Sequence, residues 1–173
     1  MKAQLVELPI VTRDGKFIAH YSEKGLAELN FPDGRAELPL GQAAQQRRPT
    51  KSNGVPAKIK NWHHTTEMAL EKILAGEKSK LPPLDWTGKT EFQKSVWRQM
   101  LKISTGKTKS YGEIAAAIGN PKAVRAVGGA CGANPVPVLV PCHRVLAANK
   151  KIGGFSGGLD WKRSLLKREG III

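Results

Sequence analysis

A cysteine followed directly by a histidine and an arginine, Cys142-His143-Arg144, is the segment whose residue types are best suited to chemistry. A cysteine attacks an electrophile only as its thiolate, so it requires a neighbour that accepts its proton or stabilises the charge. Adjacent side chains usually point apart, so contact between Cys142 and His143 requires a turn or a bridging water molecule. A Cys-His pair alone is more often structural than catalytic. The surrounding segments are therefore needed to choose between these two roles.

The segments on either side of Cys142 predict how the cysteine is presented. Three prolines, Pro135, Pro137 and Pro141, lie upstream of Cys142. They exclude a helix there and predict a buried extended segment. Residues 145–152 predict a wing hairpin, and a glycine-rich loop follows it. Residues 159–169 predict a final helix that ends at Gly170.

Two short helices joined by a turn are predicted in the most basic part of the chain. Capping boxes at Thr90–Gln93 and Ser110–Glu113 mark two helix starts, and Gly119 ends the second of these helices. Asn120-Pro121 predicts the N-cap and first position of a further helix that runs through Cys131. This outline is typical of a helix-turn-helix, in which the last helix contacts the ligand.

The last helix of this pair has one face for the core and one for a ligand. Its inward residues are predicted to be Val124, Val127 and Cys131, which leaves Lys122 and Arg125 free to contact a partner. Two consecutive glycines, Gly128-Gly129, cost a helix interior roughly 2 kcal/mol relative to alanine. Close approach of DNA and close approach of another helix both explain that cost, and the sequence does not choose between them.

Charge and composition narrow the class of partner. The 173 residues include 28 Lys and Arg against 14 Asp and Glu, a net charge of +14, and the stretch 91–173 alone holds 14 basic and 4 acidic residues. Such a surface suits phosphates. The 40% apolar content argues against disorder, and no apolar run is long enough to span a bilayer. With two cysteines and no secretory h-region, we expect a reduced, metal-free, cytoplasmic protein, or a nuclear one in a eukaryote.

The first half of the chain predicts a small mixed α/β unit. Residues 16–40 predict a β-hairpin, residues 45–60 a surface loop, and residues 66–75 a helix. A proline-rich linker near 81–89 then separates an N-terminal domain, 1–85, from a C-terminal domain, 90–173.

The segment Pro141-Cys142-His143-Arg144-Val145, preceded by Gly132-Ala133-Asn134-Pro135-Val136-Pro137, closely resembles the active-site signature of the O6-alkylguanine-DNA alkyltransferases. The similarity extends over roughly residues 90–170, through Ser110-Tyr111, residues 119–130 and Gly157-Gly158-Leu159. It implies an N-terminal domain with a ribonuclease-H-like sheet, followed by a helical, winged helix-turn-helix C-terminal domain.

The resemblance implies irreversible transfer of an alkyl group from O6 of guanine in DNA to Cys142, once per chain and without a cofactor. Tyr111 is implied to give a proton or hydrogen bond to the departing base. His143, oriented by Glu169, is implied to draw the thiol proton through a water molecule. His63-His64 lacks the cysteine partners that zinc-binding members supply, so we expect no metal.

The same resemblance implies that the target base is extruded from the duplex. Arg125 matches the arginine that fills the vacated space, on a helix presented to the minor groove largely without sequence preference. Its DNA-contacting neighbours are Lys122, Ala126, Gly128 and Gly129. The pocket and its support are assigned to Asn134 as a hinge and to Pro137, Arg144, Val145, Phe155, Ser156 and Gly157. We expect a monomer, with cooperative binding on DNA left open.

Two other functions remain open from the sequence. A non-catalytic lesion sensor or regulator would keep the basic surface and Arg125, but it has no need of Cys142. A cysteine hydrolase would need an oxyanion hole and repeated turnover, and no segment specifically indicates either.

Overall fold

The N-terminal part is built on a small antiparallel sheet. The computed structural model of the protein describes residues 5–32 and 54–173. Three strands, β1 (Val6–Thr12), β2 (Gly15–Tyr21) and β3 (Leu26–Asn30), lie side by side in chain order. The alternating pattern therefore predicted the β2–β3 hairpin correctly, but it missed β1. Residues 33–40 of the predicted hairpin segment lie outside the described residues.

Helix α1 (Ala57–Leu74) is longer than predicted. It begins nine residues before Thr66, so the predicted surface loop is wrong for residues 57–60, and residues 45–53 of that loop lie outside the described part. Pro56 is the N-cap, and its carbonyl accepts hydrogen bonds from the amides of Ile59 and Lys60. His63 and His64 consequently lie within the helix rather than before it.

Helices α2 (Glu91–Leu101) and α3 (Tyr111–Ala117) begin at the two predicted capping boxes. Helix α4 (Val124–Gly132) does not begin where Asn120-Pro121 predicted, because its N-cap is Ala123. The Asn120 carbonyl instead accepts the Ala123 amide at 3.0 Å in a separate turn. Lys122 therefore lies in the turn before α4.

The segment that leads to Cys142 is buried, as predicted, but it is not extended. The Val140 amide donates to the Val136 carbonyl at 2.9 Å, and Val138 has a φ of 71°, so the chain curls into successive turns. The predicted wing hairpin is also replaced. Strand β5 (Val145–Leu146) pairs in parallel with β4 (Lys109–Ser110), and a 3₁₀ turn over Ala148–Lys150 follows it.

Helix α5 (Leu159–Arg168) begins at the predicted residue, ends one residue before the predicted end, and connects the two halves of the chain. Arg168 donates to both carboxylate oxygens of Asp14 at 2.7 Å and to the Leu74 carbonyl at 3.0 Å. The predicted linker is also anchored, because the Leu26 amide donates to the Pro83 carbonyl at 2.8 Å. A single hydrophobic core runs through residues of both halves.

The Arg168–Asp14 ion pair yields a stability prediction. The Asp14 side chain is only 5% exposed, so Asp14→Asn leaves the Arg168 charge without its partner in a largely buried setting. We expect the free energy of unfolding to fall by about 3 kcal/mol. Asp160→Asn is the matched control, because the Asp160–Arg163 pair is exposed. Equal denaturation midpoints for wild type and Asp14→Asn would contradict this prediction.

Candidate active site

Cys142 begins a 3₁₀ turn, Cys142–Arg144, directly after the buried proline-rich segment. Its side chain is 5% exposed, and Asn134 Nδ2 donates to its sulfur at 3.3 Å. Cys142 lines a cavity of about 440 Å³, on the scale of small-molecule sites. The other residues that line this cavity are Tyr111, Gly128, Cys131, Gly132, Gly154, Phe155 and Ser156.

His143 is fully buried and points to the end of α5. Its Nε2 lies 3.0 Å from Oε1 of Glu169, a residue 26 positions later in the chain. A carboxylate only accepts hydrogen bonds, so this contact assigns the imidazole proton to Nε2 and a free lone pair to Nδ1. Nδ1 is buried and has no hydrogen-bond partner among the described residues. The atom that is free to accept a proton is therefore Nδ1.

Arg144 holds Glu169 in place and does not line the Cys142 cavity. Its Nε and Nη2 donate to the Glu169 carboxylate at 2.8 to 3.1 Å, and Nη1 donates to the Ile103 carbonyl at 2.7 Å. Burial would raise the pKa of Glu169, but the hydrogen bonds from His143 and Arg144 outweigh it and lower this pKa to about 2. Glu169 is therefore a permanent anion at the back of the site.

The resting states of Cys142 and His143 are both neutral. Burial raises the pKa of the Cys142 thiol, and the hydrogen bond from Asn134 and the charge of Lys162 only partly oppose it. Burial likewise lowers the pKa of His143, against the influence of Glu169. A protonated thiol therefore lies beside an unprotonated imidazole.

Lys162 is a site residue that the sequence reasoning missed. It is fully buried, and its Nζ donates to the carbonyls of Val145 at 2.7 Å and Gly154 at 3.0 Å. Burial lowers the pKa of Lys162 to about 8, so the ammonium is still mostly charged at neutral pH. The available signal was a lysine within the apolar stripe of α5, beside Trp161 and Leu165.

Tyr111 is the first residue of α3 and lies half-buried at the cavity wall. Burial raises the pKa of its phenol, with smaller contributions from the two cysteines. Tyr111 therefore keeps its proton at neutral pH and has a hydroxyl group to donate. Its place on the apolar face of α3 and its place at the cavity are compatible.

The remaining predicted pocket residues divide between the cavity and its surroundings. Asn134 Nδ2 donates to the Val140 carbonyl at 2.8 Å, and its Oδ1 accepts the Val136 amide at 3.1 Å, so it connects the end of α4 to the cysteine turn. Phe155 and Ser156 line the cavity. Pro137 and Gly157 do not; they line an adjacent groove. Val145 lies buried in β5, behind the site.

Helix α4 presents an open face beside the cavity. Arg125 and Ala126 are exposed on it, and Lys122 is exposed in the preceding turn. Val124 was predicted to face inward but is 40% exposed, because the helix begins at this residue. A Cβ added at Gly128 or Gly129 would have no atom within 4 Å outside the backbone of its own helix, so tight packing against another helix does not explain these glycines.

Within residues 5–32 and 54–173, no helix is long and apolar enough to cross a membrane. The same residues contain no group of three or more His, Cys, Asp or Glu that is placed to hold a metal ion.

The fold and the site define a mixed α/β protein with a buried cysteine at a cavity and a His–Glu pair next to it. The family model described as "6-O-methylguanine DNA methyltransferase, DNA binding domain" matches residues 91–171. The chain is 38% identical over 156 residues to a methylated-DNA–protein-cysteine methyltransferase of Methanosarcina acetivorans, which covers 90% of this chain and 92% of that protein. The chain belongs to the methylated-DNA–protein-cysteine methyltransferase family.

Other relatives agree along nearly the whole chain. The methylated-DNA–protein-cysteine methyltransferase of Methanosarcina barkeri is 36% identical over 175 residues, covering 98% of this chain and 97% of that protein. The crystal structure of Mycobacterium tuberculosis OGT in complex with DNA superimposes with a TM-score of 0.67 at 34% identity, covering 93% of this chain and 90% of that one. The mixed α/β architecture, with its small antiparallel sheet, is therefore that of the family.

Proposed function

We propose that this protein repairs DNA by transferring an alkyl group from O6 of guanine to its own Cys142, once per chain. The observation that carries the proposal is the position of Cys142 at the wall of a cavity of about 440 Å³, directly before His143, which is paired with Glu169. Family membership supports the same reaction.

The transfer is a displacement at the alkyl carbon. The Cys142 thiol gives its proton through a water molecule to His143 Nδ1, whose other nitrogen is held by Glu169. The thiolate attacks the alkyl carbon, a carbon–sulfur bond forms, and the carbon–O6 bond breaks with its electron pair left on the guanine. Tyr111, on the cavity wall, donates its phenolic proton to the departing guanine, and the proton held by His143 then returns to Tyr111 through water. The products are a thioether and an unmodified guanine.

Lys162 makes the thiolate accessible in a buried site. Its ammonium is the positive charge that lowers the pKa of Cys142 against burial, and its two backbone contacts hold β5 and the loop at Gly154 in place. No cofactor enters this reaction, because the thiol supplies the nucleophile and the base supplies the leaving group.

The DNA part of the proposal rests on α3, α4 and the turn between them. Arg125 enters the duplex where the target base leaves it, and the open face at Ala126, Gly128 and Gly129 lets the backbone approach DNA. Lys122 contacts phosphate. We assign this face to the minor groove, largely without sequence preference, and the protein to a monomer, with cooperative binding left open.

The finer architectural assignments belong to the same proposal. We assign the N-terminal sheet to the ribonuclease-H-like type and the C-terminal half to the winged helix-turn-helix type, with the parallel β4–β5 pair in place of the predicted wing hairpin and with domains at 1–85 and 90–173. A cytoplasmic location, or a nuclear one in a eukaryote, follows from the DNA substrate.

One assay tests the proposed function. The protein is mixed with an excess of duplex DNA containing O6-methylguanine, and its intact mass is followed with time. We expect each chain to gain one methylene and then to stop reacting. Binding without a change of mass would instead identify a lesion sensor, and continued turnover would identify a hydrolase.

Arg125→Ala separates base extrusion from chemistry. We expect this change to slow repair of duplex DNA by about tenfold or more while leaving reaction with the free base O6-benzylguanine nearly unchanged, because a free base needs no extrusion. Lys122→Ala is the matched control: it removes a nearby exposed cation, so it should weaken DNA binding in a salt-dependent way without a specific loss of extrusion. Equal losses on duplex and free base in Arg125→Ala would exclude the role given to Arg125.

A further inference from the structure

The glycine-rich segment that borders the cavity, residues 153–158, is here called the active-site loop. Phe155 and Ser156 of this loop line the cavity, and the other four residues are glycines. Glycine imposes little restriction on its backbone, so the loop has little intrinsic preference for one conformation. One backbone hydrogen bond lies within the loop, from the Gly158 amide to the Phe155 carbonyl at 3.1 Å, so contacts from outside contribute to its position.

The active-site loop is held from outside at several points, and one of them comes from the N-terminal part. A Cβ added at Gly153 would lie 2.8 Å from the Tyr111 hydroxyl oxygen. Lys162 Nζ donates to the Gly154 carbonyl at 3.0 Å. At the other end of the loop, a Cβ added at Gly157 would lie 2.6 Å from Cε2 of Phe31.

Phe31 directly follows strand β3 and packs against the active-site loop from behind. Its ring lies edge-on to Phe155, with the ring centroids 5.7 Å apart at 71°. Trp161 and Phe17 support the other side of Phe31, at centroid distances of 5.2 and 5.7 Å. The aromatic residue that lines the cavity is therefore backed by an aromatic residue from the sheet.

This contact also separates two open spaces. Phe155 lines the cavity at Cys142, whereas Phe31 and Gly157 line the adjacent groove of about 610 Å³, and Ser156 borders both. Outward movement of Phe155 toward that groove is blocked by the Phe31 ring. The width of the cavity at the loop thus depends on a residue more than one hundred positions before Cys142.

We propose that Phe31 is a positioning residue that fixes the active-site loop and thereby limits the size of the O6 substituent that the cavity accepts. The inference rests on the proposed alkyl transfer and extends it to substrate selection. Phe31 does not touch the reacting atoms. It acts by keeping Phe155 and Ser156 in one arrangement before the base arrives, so binding need not order a loose loop.

The first test compares substrates of two sizes in variants of Phe31. Rates of transfer are measured for O6-methylguanine and O6-benzylguanine placed in the same duplex. In Phe31→Leu and Phe31→Ala, we expect the half-saturating concentration for the methyl substrate to rise and the benzyl-to-methyl rate ratio to increase about three- to tenfold, the scale of one aromatic contact. The limiting rate of methyl transfer should change by less than about twofold.

Tyr21→Leu is the matched control for the loss of core packing. Tyr21 is a fully buried aromatic residue of the same sheet, and its described ring contact is with His63 rather than with Phe31 or the loop. It should reduce thermal stability as much as Phe31→Leu but leave the substrate ratio near that of wild type. The same shift of the ratio in both variants would show a general packing effect and would overturn the inference.

A double-mutant cycle tests the contact between Phe31 and Gly157 directly. Gly157→Ala alone should impair methyl transfer, because the new Cβ meets the Phe31 ring. In the Phe31→Ala background this obstacle is absent, so Gly157→Ala should cause little further loss. Additive losses in the cycle would overturn the inference.

Wild-type protein distinguishes failure of this inference from failure of the proposed function. If wild type gains no alkyl group from either substrate, the proposed function and the inference both fail. If wild type transfers both groups, but the Phe31 variants keep the wild-type benzyl-to-methyl rate ratio and the losses in the double-mutant cycle add, only the role of Phe31 fails. Amide hydrogen exchange gives a readout independent of activity: residues 153–158 should exchange faster in Phe31→Leu than in Tyr21→Leu, and equal rates would count against the inference.

Discussion

Replacing Cys142 by alanine is expected to abolish the gain of mass on methylated DNA while leaving affinity for the same DNA within about twofold. The variant removes the sulfur of a residue that lines the cavity but changes none of the exposed residues of α4. The loss should be complete, because no other group on the cavity wall combines a nucleophilic sulfur with a neighbouring base. Intact mass and a DNA-binding titration on one preparation measure the two effects.

Peptide mapping of the wild-type product is the companion measurement. Cys131 lines the same cavity, and burial raises the pKa of its thiol to about 12. The added group should therefore be found on the Cys142 peptide alone. Transfer that persists in Cys142→Ala, or a modified Cys131 peptide in wild type, would refute the assignment.

Glu169→Gln is expected to affect both stability and transfer. The unfolded chain protonates this carboxyl group at the ordinary value of 4.5, whereas the folded chain keeps it ionised down to a pKa of about 2. Its contribution to stability, about 3 kcal/mol, is therefore full above pH 4.5 and is lost as the pH falls toward 2. The difference in unfolding free energy between wild type and Glu169→Gln should follow this course.

The same substitution should slow alkyl transfer at pH 7 by roughly two orders of magnitude or more, because a glutamine amide can donate to His143 and favour the wrong tautomer. Glu23→Gln is the control for a change of net charge, because Glu23 is exposed and distant in sequence from Glu169. It should leave the unfolding free energy and the transfer rate unchanged. A Glu169→Gln variant with wild-type rate and wild-type acid stability would exclude the relay through His143.

The parts of the fold that depend on neighbouring residues could be predicted from the sequence. The starts of α2 and α3 follow from capping boxes, which involve residues three positions apart. The start of α4 could not be predicted in this way, because Asn120-Pro121 is an equally good turn former and the structure uses it as a turn. The wing hairpin failed for a similar reason: the pairing partner of β5 is β4, more than thirty positions away.

The candidate site shows the same division. Cys142 and His143 can be identified from their residue types. Glu169, the partner of His143, was predicted only from the resemblance, because the chain between the two residues carries no local signal that pairs them. Lys162 and Phe31 were missed, because each acts through contacts that only tertiary packing creates. A lysine within the apolar stripe of a predicted helix nevertheless indicates a buried and paired side chain, and this signal is present at Lys162.

The protonated resting state of the Cys142 thiol has a consequence for a protein that is consumed by a single event. Oxidants and stray electrophiles in the cell attack thiolates far faster than thiols, so a permanently ionised sulfur would be spent before any damaged base arrived. Burial keeps the sulfur protonated by raising the pKa of the Cys142 thiol, and the hydrogen bond from Asn134 and the charge of Lys162 oppose this effect only in part. Each molecule is thus preserved for the lesion it is made to remove.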